Sequence, residues 1–194
     1  MIKVCHQKRG KNWYGTAVQN NQIVATVFSN KEFDLNRLLE RLPQYVPYEV
    51  VEEPDPILLD VLNSLDDAFK GKNQKGRKFN VNLRNVSSYF KKVLNYTQMV
   101  PVGYVTTYGA LANVAGGSAR SVGRVQATNP VPLLIPCHRV VRSDLDVGGY
   151  GYGPEVKMEI LRNEDRGYEE STEIDLEGKK LRLFPVKWVK LKLI

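Results

Sequence analysis

Apolar and polar positions alternate along residues 12–29. Trp13, Gly15 and Ala17 alternate with polar neighbours, Asn20-Asn21 supplies a turn, and Ile23, Val24, Ala25, Val27 and Phe28 form a return strand, which predicts a β-hairpin. The period then changes. Leu35, Leu38 and Leu39 have helical spacing within residues 33–42, and Pro43 ends that segment. Tyr48 to Val51 reads as a short strand. Pro54 and Pro56 open a helix through Leu58, Leu59, Val61, Leu62 and Leu65 to Phe69. The first 70 residues therefore read as an α+β unit.

A second helical region opens at Ser87, with Tyr89, Phe90, Val93, Leu94 and Met99 on its apolar face, and breaks at Pro101-Val102-Gly103. Thr107 is placed to cap a short helix carrying Leu111 and Val114. Gly116-Gly117 forms a tight turn, and Ser118 caps a further helix whose exposed side carries Arg120 and Arg124. Two short helices joined by a glycine turn, the second basic, fit a helix-turn-helix, and equally a helical hairpin with solvated arginines. Ala119, Ser121, Gly123 and Ala127 give the second helix a small-residue face. That face suits close approach to a nucleic-acid backbone or to another helix. Three prolines between Pro130 and Pro136 forbid a helix and predict an extended path through residues 129–141. A glycine-rich loop follows at 147–153. A last helix starts at Pro154 with Val156, Met158, Ile160 and Leu161 apolar, and residues 174–194 read as one or two basic β-segments.

With 194 residues, the chain suits one domain or two small ones, and 42% hydrophobic with 25% charged residues excludes a disordered chain. Two cysteines exclude a disulfide framework. MIKVCHQKRGKNWYG lacks the apolar core of a leader, and no apolar run approaches the roughly 18 residues of a membrane span. A soluble, cytoplasmic protein with free thiols is expected. Charge adds more. From Lys70 to Arg142 there are twelve basic residues and no Asp or Glu, leaving 16 basic and 21 acidic residues elsewhere, a balance of −5 against the total of +7. Such segregation points to a polyanionic partner, most simply nucleic acid. The polar stretch GKNQKGRK (71–78) is the best linker, so residues 1–80, 81–170 and 171–194 are expected as an N-terminal domain, a C-terminal domain and a basic extension.

Candidate chemistry is sparse. The only histidines are His6 and His138, and the only cysteines Cys5 and Cys137. Cys5-His6 is too small a ligand set for zinc, and no metal is expected. Cys137 lies in the basic block beside His138 and Arg139, where positive charge favours the thiolate. A nucleophile and an inert core cysteine are both compatible with that spacing. In an extended segment neighbouring side chains point to opposite faces, so His138 would reach Cys137 through a water.

Pro136-Cys137-His138-Arg139-Val140 within NPVPLLIPCHRVV resembles the signature of the O6-alkylguanine-DNA alkyltransferases, the methylated-DNA–protein-cysteine methyltransferases. Residues 101–164 follow that family's C-terminal domain in order and spacing, and the first 80 only loosely. The resemblance implies an α+β protein, with an RNase H-like N-terminal domain before a mostly helical domain carrying a helix-turn-helix. It implies Cys137 as alkyl acceptor, His138 as its base, Glu164 orienting that histidine, and Asn129 holding the turn before the thiol. Tyr108 would donate to the guanine ring and rotate a DNA phosphate, and Arg120 would fill the gap left by the flipped base. Arg124, Ser121, Ala119 and Gly123 would complete the DNA-facing helix. Val140, with its carbonyl toward the exocyclic amine, Tyr150, Gly151 and Pro132 would line the base pocket; the family often has serine where Gly151 stands. The implied function is direct-reversal repair. The alkyl group of O6-alkylguanine, with O4-alkylthymine a further candidate, passes once to Cys137 from duplex DNA after base flipping. A monomer working without cofactor or membrane is implied.

Overall fold

Asn20 and Asn21 both take left-handed backbone conformations, with φ of 49° and 59°. Asparagine tolerates that region better than most residues, which is why this pair can close a two-residue hairpin. In the computed structural model, which describes residues 1–31, 33–73 and 79–190, the turn joins strand β2 (Asn12–Gln19) to β3 (Gln22–Ser29) as expected. Strand β1 (Ile2–Arg9), unassigned from sequence, pairs antiparallel with β2, and β4 (Tyr48–Val50) pairs parallel with β1, giving the order β3-β2-β1-β4. The helix expected over 33–42 shrinks to α1 (Asn36–Leu39). The Asp34 carboxylate accepts from the Asn36 N–H at 3.0 Å, a local turn that competes with helix at the preceding residues. Helix α2 (Pro56–Phe69) begins where Asp55 accepts from the N–H groups of Ile57 and Leu58. Ile2, Val4, Ala17, Ala25, Val27 and Leu38 form a core beneath the sheet.

These elements belong to the first of two compact units, comprising Met1–Ala68, the described part of Gln74–Arg84, and Pro130–Leu134. Most of the expected linker, residues 74–78, lies outside the described residues. The second unit comprises Phe69–Asn73, Asn85–Asn129 and the chain from Ile135 onward.

Three hydroxyl caps start three of the helices of the second unit. Ser87 accepts from the Phe90 N–H and starts α3 (Ser88–Gln98). Thr107 ends strand β5 (Tyr104–Thr107), accepts from the Ala110 N–H and starts α4 (Tyr108–Ala115). Ser118 and Ser121 cap each other reciprocally at the start of α5 (Ala119–Ala127). Each such cap contributes about 1 kcal/mol. The turn between α4 and α5 needs its glycines: Gly116 and Gly117 have φ of 89° and 84°. A Cβ on Gly117 would come within 2.6 Å of the Tyr89 hydroxyl, which itself contacts Ser121 Oγ at 2.7 Å.

The extended path expected through residues 129–141 holds only in part. Cys137–Arg139 forms a 3-10 turn, in which Cys137 N–H donates to the Ile135 carbonyl and Arg139 N–H to Pro136. Pro136 precedes the turn, where its missing N–H costs nothing. Strand β6 (Val140–Val141) follows, then α6 (Pro154–Glu164), and the extension forms the antiparallel pair β7 (Thr172–Leu176) and β8 (Lys179–Pro185). β8 pairs antiparallel with β5, and β5 parallel with β6, giving the order β6-β5-β8-β7. The described chain is thus mixed α+β. No helix among the described residues is long and apolar enough to cross a membrane.

Candidate active site

Cys137 starts the 3-10 turn and is buried, at 5% exposure. It borders a cavity of about 350 Å³ lined by Tyr108, Gly123, Gln126, Ala127, Gly149, Tyr150 and Gly151. Two walls therefore come from the first residue of α4 and the glycine-bearing face of α5, and the third from the loop before α6. Burial pushes the Cys137 thiol up, and the Asn129 side chain, the Lys157 ammonium and the Tyr150 hydroxyl oppose that rise. Asn129 also donates from Nδ2 to the Ile135 carbonyl at 2.9 Å, across the chain leading to the thiol.

Behind the thiol lies a buried ionic group. His138 Nε2 lies 2.9 Å from Glu164 Oε1, Arg139 Nη2 donates to the same oxygen at 2.8 Å, and Arg139 Nε donates to Oε2 at 2.9 Å. Arg139 Nη1 reaches the Val100 carbonyl. Burial alone would raise the Glu164 carboxyl, but Arg139 and His138 overcome it and hold it at about 2. An ionised carboxylate only accepts, so His138 Nε2 carries the hydrogen, and in the neutral ring Nδ1 keeps its lone pair. Nδ1 is buried without a hydrogen-bond partner among the described residues. Burial also lowers the His138 pKa, against the pull of Glu164. Burial thus favours the neutral imidazole, whose Nδ1 is the basic nitrogen, on the residue after the thiol.

Lys157, on α6, was not singled out from the sequence. Its side chain is fully buried, Nζ donates to the Val140 carbonyl at 2.7 Å, and it lies 5.9 and 6.0 Å from the ring centres of Tyr108 and Tyr150. Burial pulls its pKa down to about 8, with Cys137 acting in the opposite direction. No group of three or more His, Cys, Asp or Glu able to hold a metal occurs among the described residues.

The other expected site residues distribute as follows. Arg120, Arg124 and Ala119 are exposed on α5, with Ser121 and Gly123 partly so. A Cβ on Gly123 would meet only a Tyr108 ring carbon at 4.0 Å, so packing does not require glycine there. Pro132 belongs to the first compact unit, where its carbonyl accepts from Thr26 Oγ1 at 3.0 Å. Gln126, which looks like a base reader on a basic helix, is instead buried, and its Nε2 donates to Thr97 Oγ1 at 2.7 Å.

Residues 88–166 match the family model for the DNA-binding domain of 6-O-methylguanine DNA methyltransferase. That segment contains the cavity, the 3-10 turn and the buried ionic group. Over these residues the chain is similar to the O6-methylguanine-DNA methyltransferases. A methylated-DNA–protein-cysteine methyltransferase of Pyrobaculum aerophilum is 49% identical over 82 residues, covering 42% of this chain and 55% of that protein. One from Metallosphaera sedula is 38% identical over 104 residues, 54% of this chain and 65% of the relative. The crystal structure of the O6-methylguanine-DNA methyltransferase of Pyrococcus kodakaraensis aligns with a TM-score of 0.65 at 27% identity, covering 84% of this chain and 99% of that one. The chain spans about half the length of the first curated relatives it matches.

Two charged groups of the site are not marked by the sequence pattern. Lys157 sits in VKM, flanked by apolar residues that are also buried. A lysine between two apolar residues reads as a solvated position of an amphipathic helix, so only the folded structure shows its burial. Arg139 reads as part of the basic block, yet its guanidinium serves Glu164, 25 residues away. Only tertiary contact reveals that pairing.

Proposed function

We propose that this chain is a methylated-DNA–protein-cysteine methyltransferase, which moves the alkyl group of O6-alkylguanine in duplex DNA to Cys137 Sγ. The observation that carries this reading is the buried thiol at the cavity floor, beside a histidine whose hydrogen-bonding to Glu164 leaves Nδ1 free to take a proton. The alkyl carbon on O6 is inaccessible inside a base pair, so the nucleotide is extruded into the cavity. His138 takes the thiol proton through a water. The thiolate attacks the alkyl carbon in line; the S–C bond forms as the C–O6 bond breaks, and the electron pair leaves on the purine. The Tyr108 hydroxyl donates toward the guanine ring as that charge develops. The product is a thioether, and each molecule acts once, without a cofactor.

The α4–turn–α5 pair is read as a helix-turn-helix lying in the minor groove. The small face of Ala119, Ser121 and Gly123 permits close approach, Arg120 fills the space of the flipped base, and Arg124 neutralises phosphate. Val140, Tyr150 and Gly151 are assigned to the base pocket. The first 80 residues are read as an RNase H-like domain, residues 81–170 as the reacting domain and 171–194 as an extension, acting as a monomer.

The test is incubation with duplex DNA carrying radiolabelled O6-methylguanine, followed by digestion and peptide mapping. The label is expected on the Cys137 peptide and absent in Cys137→Ser. An intact lesion under prolonged excess protein would sink the reading.

A further inference from the structure

The chain after α6 has no part in that chemistry, yet its residues past β8 contact the segment that links the thiol to the cavity loop. β8 pairs with β5 through Val105↔Phe184, and β5 pairs with β6, the two residues immediately after the Cys137–Arg139 turn. Thr106 Oγ1 donates to the Arg182 carbonyl at 2.9 Å, and Val186 N–H donates to the Gly103 carbonyl. Past β8, the chain turns through Val186–Trp188, and Lys190 N–H donates to the Leu145 carbonyl at 2.9 Å, forming a parallel bridge with Asp146. Val186 and Val189 share one apolar cluster with Val141 and Val147 from the linking segment and with Met158 and Leu161 from α6.

The connection from there to the cavity is short. Arg142 N–H donates to the Asp146 carbonyl, and the Asp146 carboxylate accepts from Gly148 N–H at 2.9 Å. Gly149, Tyr150 and Gly151, the next residues, form a cavity wall. Glycine-rich backbone has little rigidity of its own. The wall is held at Tyr150 by Lys157 and Tyr152, and at its base by Asp146 and Val147, which Lys190 and Val189 contact in turn.

We propose that Val189 and Lys190 are positioning residues for the cavity wall, and that they set the size of group admitted to Cys137. As a filter for O6 substituents, the device rests on the methyltransferase reading; as a filter for any electrophile reaching the thiol, it does not.

Two loosening variants and one restoring variant test it. Lys190→Pro removes the N–H that holds Leu145 and leaves Val189 in an extended conformation compatible with a following proline. Val189→Ala removes the apolar contact, and Val189→Ile restores it. Each protein is reacted with iodoacetamide and with a bulky aryl maleimide, and alkylation is quantified on the Cys137 peptide. Both loosened variants should keep native circular dichroism and iodoacetamide rates, while the maleimide rate rises about fivefold, the equivalent of one net hydrogen bond, and Val189→Ile should return it. Folded variants that discriminate the two reagents as the unaltered protein does would overturn the proposal. Should Lys190→Pro lose its native spectrum, Val189→Ala decides alone. Because no DNA is used, failure of methyl transfer and failure of the filter are separately visible.

Discussion

Lys157 donates its ammonium to the main-chain carbonyl of Val140 at 2.7 Å, so a buried cation is held at a residue three positions along the chain from the thiol. The cation's effect on Cys137 is to favour the thiolate. Lys157→Met should raise the thiol pKa, and each unit of rise lowers the thiolate fraction at neutral pH about tenfold. The pH dependence of iodoacetamide capture at Cys137 measures this; an unmoved profile would remove Lys157 from the site's electrostatics.

Lys157 also imposes a stability signature. Its folded pKa of about 8 lies below the ordinary lysine value of 10.5, so between these values the unfolded chain binds more protons than the native one. Stability should rise as pH increases from about 8 to about 10.5, and the Met variant should lose that rise. Urea midpoints across this range report it.

Glu164 gives the complementary acid limb. Its carboxyl is held at about 2 against an ordinary value of 4.5, so its contribution is complete above about 4.5 and disappears as pH falls toward about 2. Glu164→Gln should cost on the order of 3–5 kcal/mol at neutral pH, because it leaves the Arg139 guanidinium buried without its counter-charge. It should also flatten the acid limb of the denaturation profile. A neutral variant with unchanged acid stability would show that another carboxylate governs that limb.

Gly123 separates packing from function. A methyl group added at its Cα would find only a Tyr108 ring carbon, 4.0 Å away, so Gly123→Ala should stabilise α5 by about 1 kcal/mol and raise Tm by about 2–4 °C. The same methyl intrudes on the cavity face, so DNA repair should fall. Increased stability with undiminished repair would show that the small face does not meet DNA.

Arg120 is exposed on the same helix. Arg120→Ala should reduce repair of duplex DNA while sparing reaction with free O6-methylguanine base. Equal loss on both substrates would make its role structural.

The parts legible in sequence are those governed by local chemistry. The Asn20-Asn21 turn, the Ser87, Thr107 and Ser118 caps, and Pro154 at the start of α6 each act within a few residues. β1 escaped because only Ile2, Val4 and Cys5 mark it as apolar before His6, Gln7, Lys8 and Arg9 break the pattern; its pairing with β2 and β4 supplies the rest. The turn at Cys137 escaped because three prolines argue for extension, and a 3-10 turn starts just after the last of them. The buried placements of Gln126, Arg139 and Lys157 rest on Thr97, Glu164 and Val140, between 17 and 29 residues distant, beyond the reach of any local pattern.

Arg139's engagement also changes how the acid-free stretch should respond to salt. A side chain already neutralised by a buried carboxylate displaces no condensed cation when a polyanion arrives. Each phosphate neutralised by a free cation adds about 0.9 to the slope of log affinity against log salt; Arg139 adds nothing. The twelve charges between Lys70 and Arg142 therefore overstate the ionic footprint by at least one. The carboxylate that the stretch lacks in sequence reaches it in space, from Glu164.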